Sequence, residues 1–108
     1  MTQTLIQTAY AANTDTVEYT SGTGSYTDIY AFTATNVSSS SETLNVNLVP
    51  SGDAVGVANL VVDAQTIQPG EDYSVTGVIG QTLDPGDAIY CKASAASAIV
   101  IRASGRVS

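Results

Sequence analysis

Two pairs of carboxylates, Glu71/Asp72 and Asp84/Asp87, are the residues of this chain best suited to chemistry. Carboxyl groups set across a cleft carry out glycoside hydrolysis, one as acid and the other as base or nucleophile. That chemistry also needs aromatic platforms to hold the sugar. Loop carboxylates are, besides, the preferred ligands of calcium. Here both pairs flank a Pro-Gly dipeptide, Pro69-Gly70 and Pro85-Gly86. Acidic residues beside Pro-Gly are ordinary turn formers, and no Asp-x-Asp-x-Asp run accompanies them. The expectation is turns, with no catalytic, metal-binding or cofactor-binding residue.

The remaining nucleophiles point the same way. The chain has no histidine, which removes Ser-His-Asp and Cys-His mechanisms and the usual imidazole metal ligand. Its one cysteine, Cys91, alternates with Ile89 and Ala93 and reads as a small buried hydrophobe. A lone cysteine makes no intrachain disulfide. Gly22 and Gly24 lie in a loop with no lysine and no following helix, so they form no phosphate cradle. Asn36-Val37-Ser38 matches a glycosylation sequon, read as an accident of an Asn/Ser-rich loop. The chain is expected not to be an enzyme.

Six tyrosines are left: Tyr10, Tyr19, Tyr26, Tyr30, Tyr73 and Tyr90. Tyrosine suits interfaces because it offers contact area and a hydroxyl at low entropic cost. Tyr30 and Tyr90 are expected on faces opposite the core residues. The candidate partner-binding residues are Thr4, Ile6, Tyr10, Tyr19 and Tyr26, within an N-terminal contact segment Thr2 to Tyr10 and the loop-rich stretch after it.

The elements that must hold these residues are strands. Val, Ile and Thr dominate the ordered-looking runs and favour a pleated, half-buried surface. Expected strands are Thr4–Tyr10, Val17–Thr20, Thr27–Thr35, Thr43–Val49, Asn59–Ile67, Asp72–Ile79, Ala88–Ala93 and Ile99–Ala103. Leu44, Val46 and Leu48 are expected inward with Asn45 and Asn47 solvated. Tyr30, Phe32 and Ala34 should share a face, as should Leu60, Val62 and Ala64. Gly77 marks a bulge or a close backbone approach. Pro69-Gly70 and Pro85-Gly86 read as type II turns at two similar hairpin-like corners.

Length and charge bound the rest. The 108 residues suit one all-β domain, a single compact β-sandwich, jelly-roll or immunoglobulin-like, of about eight short antiparallel strands. Residues 1–12 are read as an N-terminal arm or edge strand. Ten acidic residues face three basic ones, Lys92, Arg102 and Arg106, for a net charge of −7. This leaves no basic face for nucleic acid. No run approaches the ~20 apolar residues of a membrane helix, and the N-terminus lacks the pattern of a signal peptide. Synthesis in a cytoplasm is the simplest expectation. The core, with one Phe and no Trp, is modest, so association is expected to add stability.

Several segments in order are similar to small all-β virion proteins of tailed bacteriophages. They are Thr43 to Gly52, Ala58-Asn59, Ile67 to Glu71, Leu83 to Ile89, Lys92 to Ala98 and Arg102 to Gly105. The resemblance covers about the last two-thirds of the chain. It implies a capsid decoration or cement protein, assembled in the bacterial host's cytoplasm, that binds the major capsid protein or other virion proteins and stabilises the head. It further implies a homo-oligomer, a trimer in the first instance. The alternatives are a neck or tail component (collar, tail ring or fibre attachment) and, from another class, a host-surface carbohydrate-binding module.

Overall fold

The structure is a computed structural model that describes residues 3–108. Met1 and Thr2 lie outside the described residues, and with them the start of the contact segment expected from Thr2. Nine strands follow in order: β1 Thr4–Tyr10, β2 Thr16–Thr20, β3 Thr27–Asn36, β4 Glu42–Val49, β5 Leu60–Ile67, β6 Asp72–Ser74, β7 Thr82–Leu83, β8 Ala88–Ala93 and β9 Ile99–Val107. A single 3-10 turn, Val57–Asn59, precedes β5.

The strands form two antiparallel sheets. Sheet A has the order β1-β9-β3-β6, with β7 also on β3; sheet B has the order β2-β8-β4-β5. Counting β6 and β7 as two pieces of one interrupted strand gives eight strands, four per sheet. Sequence neighbours β1 and β2 fall in different sheets, and the last strand returns beside the first. That arrangement is a jelly roll. It settles the two sandwich types expected from the sequence.

The core lies between the sheets. Alternation supplies it directly in β8, where Ile89, Cys91 and Ala93 point inward, and in β9, where Ile99, Ile101 and Ala103 do. Phe32, Ile29, Leu44, Val46 and Ile67 complete the centre. The expected strand β9 was too short: it runs on to Val107 because Gly105 and Arg106 keep pairing with Ile29 and Asp28 of β3. Gly105 is obligatory there, since a Cβ would collide with the carbonyl oxygen of Asp28.

Two bulges and one covering segment overturn three of the expected faces. A bulge inserts one extra residue and flips the alternation beyond it. In β3 the register against β9 slips between Ile29 and Ala31, so Ile29 joins Phe32 and Ala34 inside and Tyr30 is exposed. In β5 the register slips between Val62 and Gln65. Ala64 takes a positive φ of 50° and points out, and Ile67 points in. Asn45 Oδ1 accepts the freed Ala64 N–H at 2.7 Å. In β4, Asn47 is buried rather than solvated, because the segment before β5 folds over it. Its Nδ2 donates to Gly56 O (2.9 Å) and Asn59 Oδ1 (2.8 Å).

The strand expected at Asp72–Ile79 stops at Ser74. Residues 75–81 loop out between β6 and β7 and drop Val75 and Val78 into the core. Gly77 makes the expected close approach: a Cβ there would lie 3.2 Å from Val61 O. Breaking an edge strand in this way removes a template for unwanted pairing. At the opposite side, β1 is an edge strand of its own chain's sheet A. The Gln7 side chain takes the Thr8 N–H on Oε1 and donates from Nε2 to Glu18 O of β2.

Candidate functional site

The carboxylate pairs sit at two matching corners. Gln68–Glu71 closes with Glu71 N–H on Gln68 O at 3.0 Å and Gly70 at φ +77°. Asp84–Asp87 closes with Asp87 N–H on Asp84 O at 3.0 Å and Gly86 at φ +86°. Both are the type II turns that Pro-Gly specifies. The acid in each folds back onto the turn. Glu71 Oε1 accepts Gln68 N–H at 2.7 Å, and Asp87 Oδ2 accepts Asp84 N–H at 3.0 Å. Asp87 Oδ1 also accepts Ser51 N–H at 2.9 Å, from a neighbouring turn.

The corners are not hairpins. Gln68–Glu71 leads from β5 in sheet B to β6 in sheet A, and Asp84–Asp87 leads from β7 in sheet A to β8 in sheet B. Each is anchored by a buried polar residue at the end of a strand. Asn36 exchanges backbone hydrogen bonds with Gly70 and Glu71, and Ser21 does the same with Gly86 and Asp87. The sequon is part of this joint. Asn36 has no exposed surface, its Nδ2 donates to Ser40 O and Ile67 O (both 2.8 Å), and its Oδ1 accepts from Ser38 N–H and Oγ–H. A glycan has no access to that amide in the folded chain. Sequence reasoning missed this role because an Asn-Ser loop looks solvated. The one available signal was that Asn36 ends a strongly patterned strand.

Cys91 is buried between the sheets. Burial, and then the negative charge of Glu18, push its thiol far above the ordinary range. A thiol so held is not a nucleophile at neutral pH.

The predicted contact residues do not converge. Thr4 and Tyr10 are exposed on β1, and Ile6 of the same strand is half-buried against the core. Tyr26 is exposed just before β3, where its backbone pairs with Ser108. Tyr19 is half-buried on β2, and its hydroxyl shares a 3.0 Å hydrogen bond with Thr27 Oγ1. Thr27 in turn meets Ser21 Oγ at 3.0 Å. Tyr19 thus belongs to the joint beneath the second corner.

What the fold leaves free is the outer face of sheet A. Register aligns Tyr10, Val100, Thr35 and Asp72 in one row, and Thr8, Arg102, Thr33 and Ser74 in the next. Leu5, Ser104 and Ala31 form a third, with exposed Tyr30 beside it. The result is a surface of mainly hydroxyl and apolar side chains, with Arg102 near its middle and Asp72 at its edge. Tyrosine and arginine on a largely uncharged patch are the composition of a contact surface. The alternation of Ile99 to Ala103 had already placed Arg102 outward, yet its uncharged surroundings were legible only once β1 and β3 were known to flank β9. The outer face of sheet B offers two shallow depressions of about 310 and 190 Å³ that share Asn45 and Lys92. Neither lining includes an aromatic ring.

No family model, curated protein or solved structure matches this chain.

Proposed function

We propose that the chain is a non-enzymatic structural protein of a tailed-phage particle, a decoration protein that binds the outer capsid lattice. The observation that carries the assembly half is the division of labour among side chains. Glu71, Asp87, Asn36, Ser21 and Cys91 hold the fold, and the outer face of sheet A carries exposed residues with no internal task. The particle half rests on the resemblance of the segments between Thr43 and Gly105. A rigid disulfide-free sandwich suits assembly in a cytoplasm, and many modest contacts on a lattice add up by avidity. A neck or tail location calls for the same protein in fewer copies. The sugar-binding alternative is disfavoured by depressions without an aromatic platform.

Copy number tests the reading. Quantitative mass spectrometry of purified particles should give this chain at a simple fraction of the major capsid protein, a third or more. A handful of copies moves it to the neck or tail, and its absence from particles ends the virion reading.

A further inference from the structure

We propose that the outer face of sheet A is an interface between two copies of this chain, related by a two-fold axis lying along β3. The argument is charge and register. Of the three cations, Arg106 stands opposite Asp28, which also accepts a 2.8 Å hydrogen bond from Thr82 Oγ1. Lys92 is on the other sheet. Arg102 has only Thr8 and Thr33 as cross-strand neighbours, and Asp72 has Thr35. So the face holds one cation and one anion without a charged neighbour in register, on the two strands that flank β3.

That placement is self-complementary. Strands lie about 4.8 Å apart, and alternate residues on one face about 7 Å apart. Turning a second copy face to face about an axis along β3 sets its β9 over the first copy's β6. Arg102 of one copy then lies over Ser74 of the other, one same-face position from Asp72, within reach of its long side chain. The second Arg102–Asp72 pair forms by symmetry, as an isologous contact requires. Tyr30, 43% exposed on β3, sits on the axis and meets its own copy. Apart from Asp28 and Arg106, which stand opposite each other at one end of the face, the rest of the contact is uncharged. The expected symmetry is two-fold, in place of the threefold favoured from sequence.

Sedimentation velocity on the purified chain tests this without any phage particle, so its failure leaves the copy-number test untouched. The wild type should associate to a dimer. Arg102→Asp and Asp72→Arg should each weaken dimerisation by roughly tenfold or more, since each places two like-charge contacts in the interface. The double variant should return close to the wild-type constant. Lys92→Asp, on the opposite sheet, should change nothing, and circular dichroism should be unaltered in all four because every site is exposed. A wild type that stays monomeric at millimolar concentration, a trimeric mass, single variants without effect, or a double variant that fails to recover each overturns the proposal.

Discussion

The two Pro-Gly corners share a backbone and differ in what lies beneath them. Each carries the chain from one sheet to the other, each is closed by its own acid, and each exchanges two backbone hydrogen bonds with a buried polar residue. Under Gln68–Glu71 that residue is Asn36, whose single amide satisfies three backbone groups on two separate segments, the Ser38–Ser40 loop and the end of β5. Under Asp84–Asp87 it is Ser21, whose hydroxyl shares the work with Thr27 and Tyr19 and bonds Ser25 O at 2.9 Å. One joint is concentrated in a residue and the other is distributed over three. A concentrated joint is specific and fragile, whereas a distributed one yields in steps.

Substitutions separate the two. Asn36→Ala should be the most damaging, by about 3 kcal/mol, because it strands buried backbone groups without partners. Urea unfolding followed by circular dichroism measures it, and a loss under about 1 kcal/mol would remove the contrast. Ser21→Ala should cost about 2 kcal/mol, with Tyr19→Phe costing less, since Thr27 keeps a partner in either single variant. A double variant whose cost exceeds the sum would show the hydroxyls backing one another up.

The acids should rank in the opposite order. Asp87 holds two turns and Glu71 one. Asp87→Ala should lower stability by about 1.5 kcal/mol and Glu71→Ala by about half as much, because charge-assisted bonds to exposed amides are modest. Equal losses in paired melts would show that the bridge to Ser51 is idle. The smallest effect concerns Glu18, on the strand that Ser21 ends. Partial burial holds its carboxyl above the ordinary range, so the folded chain favours the protonated acid. Its favourable contribution is complete at low pH and is lost as pH rises through the folded value. Glu18→Gln should therefore flatten the fall in urea midpoint between about pH 4 and 7. A variant whose pH profile parallels the wild type would refute the assignment.

The corners also show what the residues made legible. Pro-Gly-acid fixed the turn type at both, and strict alternation placed the inward residues of β8 and the first half of β9. A turn type does not say which sheet the next strand joins, so both corners passed for hairpins. Bulges were invisible because a single inserted residue leaves both flanking runs looking regular; only the partner strand reveals the slip at Tyr30 or Ala64. Val75 and Val78 read as strand because burial in a loop and burial in a strand look alike in a short apolar run. The outer face of sheet A is built from β1, β3, β6 and β9, which the chain order keeps far apart. Its parts were visible as separate exposed residues, but not as one surface.

The pairing of β1 with β9 has a consequence for biosynthesis. β9 is a central strand of sheet A and emerges from the ribosome after every other strand. Until then β1 and β3 have no neighbour between them, and half of the sandwich has no template. Sheet A can therefore close only once β9 has been made, through contacts between distant segments that form slowly. In a crowded cell that interval is when its apolar strands are open to other nascent copies and to chaperones.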